Sequence, residues 1–221
     1  MTELVRGKVP KDRPGPEGGK RDTNRKERID SLLKAGVELF LEHGIEQASI
    51  DDIARAAGMA KGNFYRYFDD KGALVQAILL PLAVGFRKHM SECKEALESA
   101  KDADEVTTAY GELSLALGLL AQREHQAFRL YLQERRAPNT PSRAAVAELA
   151  AEIESSAVAL SRFANDHGLI DVEDPSVSAI AVIGAAEQLA LGRLRGELNA
   201  DDLTATRILV KMVLDGVRRR A

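Results

Sequence analysis

Apolar residues recur every three or four positions along nearly the whole chain, and nowhere do apolar and polar residues alternate long enough to build a sheet. The pattern predicts an all-α protein of about nine helices. A first helix is expected from Asn24 to His43, with Ile29, Leu32, Leu33, Gly36, Leu39 and Phe40 as its inner stripe. In the next, Ile50, Ile53, Ala54 and Ala57 share one face and Asp51, Asp52 and Arg55 the other. Ser49 is placed to cap it, with Asp52 three residues on, and Gly58 to end it by taking a positive φ. A third helix, Ala60 to Phe68, turns Phe64 and Phe68 inward. Lys61, Gly62, Asn63, Tyr65, Arg66 and Tyr67 spread over its outside. The fourth opens after Asp70 and contains Pro81, which is expected to kink it. Further helices are expected from Asp104 to about Ala121 and from Arg123 to about Arg136. Thr140-Pro141 and Asp174-Pro175 each combine a cap with the proline that suits a first turn, and the last helix starts near Asp201.

Two short helices joined by a glycine turn, Ser49 to Lys71, have the form of a DNA-reading device. The outer surface of the second holds two cations and no acid. Lys61 and Arg66 answer phosphate charge, Asn63 suits a bidentate pair with a base edge, and Gly62 lets the backbone approach closely. Tyr65 and Tyr67 each offer a hydroxyl to phosphate. The same residues would also serve a plain packing corner with half-buried tyrosines.

The wider pattern is more specific. AGVELFLEHG (residues 35–44) ends a helix on a phenylalanine and a glycine; Ser49 and Ile53-Ala54 follow, then AGMAKGNFYRYF (57–68), Lys71 and Leu74. Residues 29–74 thereby resemble the TetR/AcrR family of transcriptional repressors. The resemblance implies that Ser49 and Lys71 hold phosphates at the two ends of the motif, with Tyr65 and Tyr67 on the backbone between them. It places Lys61, Gly62 and Asn63 nearest the bases. Arg66 stands where the family varies, and Ala60 where many members carry Ser or Thr, so the start of the reading helix is less defined. It further implies a homodimer on a palindromic, double-stranded operator, released when an unknown small-molecule effector binds a larger helical C-terminal domain.

Charge agrees once it is divided along the chain. The formal net charge is −3, yet residues 1–28 hold nine Lys+Arg against five Asp+Glu, so the field is polarised towards that end. The expected organisation is a disordered basic tail at 1–23, a helix-turn-helix domain at 24–70, and a ligand-binding and dimerisation domain at 71–221. The tail is too rich in Pro, Gly and charge to fold alone, and Lys20, Arg21, Arg25 and Lys26 could form an arm reaching adjacent phosphates. No apolar run approaches the roughly 18 residues of a membrane span, and no signal-peptide core opens the chain, so a cytoplasmic protein without a membrane partner is expected. A single cysteine, Cys93, excludes an intramolecular disulfide or a cysteine-based zinc cluster, and the four histidines have no ligand-like spacing. No metal or cofactor is expected. Nucleophile elbow, phosphate loop, nucleotide fingerprint and Glu-x-x-His are all missing, which argues against an enzyme.

For the C-terminal part the residues say less. Tyr110, Leu119, Gln122, His125, Phe128, Tyr131 and Phe163 are the candidates for an effector pocket between middle helices. Ala179, Ile183, Ala186, Ala190 and Leu194, with Val213 and Val217 on the last helix, are the candidates for a dimer interface. The alternative function is a helical dimer that binds a small molecule or protein while its DNA motif is inactive.

Overall fold

A computed structural model describes residues 19–199 and 202–217. Among them the chain is all-helical, with no strand. In chain order the helices are α1 (Lys20–His43), α2 (Ile50–Ala56), α3 (Lys61–Phe64), α4 (Lys71–Ser99), α5 (Ala103–Arg123), α6 (His125–Glu134), α7 (Ala144–Asp166), α8 (Pro175–Leu194) and α9 (Asp202–Val217). A 3-10 turn, Pro141–Arg143, leads into α7 with Pro141 at its first position. α1 begins at Lys20, so the last four residues of the expected tail are helical; residues 1–18 lie outside the described residues. Lys20, Arg21, Arg25 and Lys26 stand on this first stretch of α1.

The chain forms two compact units. Among the described residues, the first comprises those up to Pro81 together with Gln126–Glu148, and the second comprises Leu82–His125 and those from Leu149 onward. The first unit is thus larger than the 24–70 segment that the local pattern marked out. Its boundaries fall inside α4, in the first turn of α6 and inside α7, which local periodicity cannot reveal because none of these helices is interrupted there. α4 itself continues through Pro81.

In the first unit, Leu32, Phe40, Ile45, Ile53, Phe64, Leu74 and Val75 are wholly buried, together with Leu130 and Val146 from the inserted segment. Each such side chain contributes about 1.5–3 kcal/mol by leaving water. Gly36 lets α1 approach α4: a Cβ there would lie 2.7 Å from Leu74 Cδ2. Gly44 closes α1 with φ of 83°, its N–H donating to Phe40 O at 2.9 Å. In the second unit Cys93, Leu97, Val106, Ala109, Leu160, Ala164 and Ile170 make the core, flanked by Met90, Tyr110, Leu113 and Phe163. The Arg87 guanidinium pairs with Glu152 to tie α4 to α7. α9 packs on α5 and α8.

One expectation about composition changes. α8 is, by length and apolar content alone, long enough to cross a membrane, with a mean hydropathy of 1.4 over its best stretch. Only 17% of that stretch is buried within the chain. Small residues hid it: alanine and glycine interleave with Ile, Val and Leu, so no unbroken run of large apolar residues shows.

Candidate nucleic-acid interface

The site rests on how α2 starts and stops. Ser49 Oγ accepts from the Asp52 N–H at 3.1 Å and donates to Asp52 Oδ2 at 2.6 Å. That is a cap closed through the aspartate side chain, one methylene shorter than the usual glutamate partner. Arg55 pairs with Asp51 and Asp52 on the exposed face, four and three residues away. Such exposed pairs add little stability, but they keep the acids of α2 neutralised. At the other end Gly58 takes φ of 68°, and the Met59 N–H donates to Ala54 O at 2.8 Å. The chain turns sharply there, in a conformation that a residue with a Cβ adopts only at a cost.

α3 is shorter than the Ala60–Phe68 span that the periodicity predicts. Regular helix covers Lys61–Phe64, and the following residues close i→i+3 bonds: Arg66 N–H to Asn63 O at 3.2 Å and Tyr67 N–H to Phe64 O at 2.9 Å. The reason is local. Ala60 supplies no side-chain cap, and Gly62 is the weakest helix former short of proline. Phe64 is fully buried and Phe68 nearly so, their ring centroids 5.7 Å apart, which anchors the segment from beneath. Lys61, Gly62, Asn63, Tyr65 and Arg66 are exposed, and Tyr67 is half-buried. Nothing lies within 4 Å of where a Cβ on Gly62 would stand. Among the described residues, the side-chain polar groups of Lys61, Asn63 and Tyr65 are engaged by no hydrogen bond or ion pair, and all three residues are exposed.

Lys71 has a second occupation. Its Nζ donates to Glu46 O at 3.0 Å and to Ala48 O at 3.2 Å, tying the start of α4 to the turn before Ser49. An ammonium has three N–H groups, so one remains to meet a phosphate. Asp70 caps α4 as expected, Oδ1 accepting from the Ala73 N–H at 2.8 Å.

Sequence reasoning overlooked Gln133, Glu134 and Arg143. Glu134, 5% exposed, accepts the Ile45 N–H at 3.2 Å through Oε1 and Arg143 Nε at 2.6 Å through Oε2. Gln133 and Glu134 sit in a run, QERRAPN, that looks like an ordinary helix end, and Arg143 stands in the turn that follows. Only a partner 89 positions away marks Glu134, and no local signal could have found it.

The other candidates disperse. Phe128 and Tyr131 belong to the first unit, whereas Tyr110, Leu119, Gln122, His125 and Phe163 belong to the second. Tyr131 is fully buried; Leu119, Gln122 and His125 are exposed. Tyr110 and Phe163 do meet on one apolar cluster, where burial, with the neighbouring Cys93 as a lesser cause, pushes the Tyr110 phenol well above its ordinary range. Of the dimer candidates, Ala179 is buried within its own unit and so is unavailable to a partner. Ile183, Ala190 and Val213 are half-buried, Ala186 and Leu194 are exposed, and the side chain of Val217 lies outside the described residues. The large exposed apolar residues of these helices are Val177, Ile180, Leu194, Ile208 and Met212. α8 is apolar all round, so spacing alone did not select the exposed face. No group of three or more His, Cys, Asp or Glu that could hold a metal occurs among the described residues.

Residues 32–78 match the family model described as bacterial regulatory proteins, tetR family. An uncharacterised HTH-type transcriptional regulator of Bacillus subtilis, YvdT, is 45% identical over 51 residues, 23% of this chain and 26% of that protein. The HTH-type transcriptional repressor KstR2 of Rhodococcus jostii is 31% identical over 117 residues, 52% of this chain and 57% of its own length. The chain therefore spans between a quarter and little more than half of these curated relatives. Its fold is that of the transcriptional regulator FadR from Bacillus subtilis, solved in complex with stearoyl-CoA: the TM-score is 0.65 at 16% identity, covering 86% of this chain and 99% of that one.

Proposed function

From a segment, residues 32–78, that belongs to the tetR family of bacterial regulatory proteins, we propose that this protein is a DNA-binding transcriptional regulator. It works as a homodimeric repressor in the cytoplasm, reading a palindromic operator and released by a small-molecule effector, and it is not an enzyme. The observation that carries the reading is the α3 segment. The side chains of Lys61 and Asn63 and the Tyr65 hydroxyl face solvent with no partner among the described residues, above a buried Phe64–Phe68 base, and the backbone at Gly62 is open. Donors held ready on an exposed face are what a phosphate-lined groove requires. An inactive motif would have no reason to keep them. Ser49, by turning its hydroxyl proton from Asp52 to the DNA, and the third N–H of Lys71 extend the contacts to flanking phosphates, Tyr67 and Arg66 add to them, and Ala60 brings the chain close with only a methyl for a side chain.

The exposed apolar residues of α8 and α9, Val177, Ile180, Leu194, Ile208 and Met212, support association with a second copy. α8 opens on Asp174 as its cap and carries buried Glu187 within its apolar stretch, which favours a protein partner over a bilayer. Two copies would then set their α3 segments for successive major grooves, about 34–36 Å apart, and an effector that changes that spacing would weaken binding. The Tyr110–Phe163 cluster is the first place to look for effector contacts, and the stearoyl-CoA held by the Bacillus subtilis FadR makes acyl thioesters the first effectors to try.

The test is selection of bound fragments from genomic DNA by purified protein at stated salt, repeated with Tyr65→Ala. A palindrome recovered by the native chain and lost in the variant supports the regulator; no enrichment by the native chain refutes it and favours the helical binding dimer with an inactive motif.

A further inference from the structure

The first unit contains a segment, Gln126–Glu148, whose flanking chain on both sides belongs to the second unit. This inserted segment holds the turn between α1 and α2 through one buried carboxylate. Glu134 Oε1 accepts the Ile45 N–H at 3.2 Å and the Gln133 side-chain amide at 3.4 Å, while that amide also donates to Phe40 O at 3.1 Å. Glu134 Oε2 takes Arg143 Nε at 2.6 Å. Arg143 Nη1 continues to Glu46 Oε1 at 3.5 Å, and Glu46 Oε1 also accepts the Thr140 hydroxyl. Phe40 O, the Ile45 N–H and the Glu46 carboxylate are thereby held from one short segment. A Cβ at Gly44 would stand 3.3 Å from Glu134 Oε1, so the glycine both makes the turn and leaves room for the carboxylate.

We propose that Glu134 is a positioning residue for DNA reading. It fixes, from the inserted segment, the turn that aims α2 and through α2 the α3 segment. A buried carboxylate is retained only when its hydrogen bonds and its ion pair are both met, and all of these partners lie in the turn or in the segment itself. Lys71 grips the same turn from α4, at Glu46 O and Ala48 O, three residues or fewer from the Ser49 cap. The turn before α2 is consequently held from two directions, by Lys71 of α4 and by the inserted segment, where Glu134 is the residue that takes both the Ile45 N–H and Arg143. This role rests on the regulator reading.

The experiment compares native full-length protein with Glu134→Ala and Glu134→Gln. Amide hydrogen exchange is followed at residues 44–49, and affinity is measured for the duplex selected by the native chain. In Glu134→Ala the Ile45 amide should exchange about tenfold faster, with operator affinity about 3- to 30-fold weaker, at unchanged oligomeric state. Glu134→Gln keeps an acceptor for Ile45 but loses the charge that holds Arg143, so it should fall between; it decides the matter if the alanine variant does not fold. Native exchange at 44–49 in the glutamine variant, or faster exchange with native DNA affinity, overturns the proposal. Failure of the regulator reading is separately visible, because the native chain would then select no duplex.

Discussion

Replacing Lys71 by methionine separates the two occupations of that residue. Methionine keeps the length and apolar stem of the side chain and removes the ammonium. Two hydrogen bonds from a charged donor are lost, to Glu46 O at 3.0 Å and Ala48 O at 3.2 Å. A buried bond of this kind contributes about 1.5–3 kcal/mol. Lys71 is half-buried, and water will reach the freed carbonyls, which places the total for both near the bottom of that range, about 1–2 kcal/mol. For a chain of this size each kcal/mol moves the melting temperature by roughly 2–4 °C, so Lys71→Met should melt about 2–8 °C below the native protein without any DNA present. Circular dichroism melts at equal protein concentration measure this, and urea denaturation checks it. If Lys71 served phosphate alone, the free protein would not notice the change. A melting temperature within about 1 °C of native would refute the structural role. The phosphate role has its own readout: with the third N–H on the DNA, the slope of log affinity against log salt should shrink by about 0.9 per subunit.

Gly62→Ala should leave the free protein as stable as before, or steadier by up to about 1 kcal/mol, since nothing lies within 4 Å of the added Cβ. Its affinity for the selected duplex should nevertheless fall about tenfold, the worth of one good base-edge contact; fluorescence anisotropy showing native affinity would remove the close-approach role. Ser49→Ala should cost about 1 kcal/mol as the α2 cap is lost, while Ser49→Asp should restore the melt yet weaken DNA binding by placing a carboxylate where a phosphate arrives. Cys93 is held as a neutral thiol, its pKa pushed up to about 11 by burial and then by the charge of Glu112. The folded state therefore binds the proton more tightly than the unfolded one: this contribution to stability is complete below pH 9.0 and fades as pH rises towards about 11. Urea titrations across that interval should fall less for Cys93→Ser than for the native chain, and thiol labelling at pH 8 should be slow until the protein is unfolded.

The helices, the starting caps at Ser49, Asp70 and Asp174 and the exposed face of α3 were determined by the sequence itself, because each depends on neighbours within one or two turns, whereas Thr140, expected to cap, instead gives its hydroxyl to Glu46. Ser49 with Asp52, Asp70 with Ala73, Asp174 before Pro175, and the positive φ of Gly44 and Gly58 are all local. So is the division of α3 into inward phenylalanines and outward Lys61, Asn63 and Tyr65, and it stands even though the regular helix stops at Phe64. Tertiary structure alone decided which of several equivalent faces is covered. α8 is apolar on every side, so nothing in its spacing could say that Ala179 turns inward while Val177 and Ile180 remain exposed. Likewise the first unit takes Gln126–Glu148 from a distant stretch of chain, and Glu134 and Lys71 acquire their structural partners only there. Hydrogen bonds across 89 and 25 positions are set by how helices pack. Packing depends on the whole set of apolar surfaces at once, which no local pattern contains.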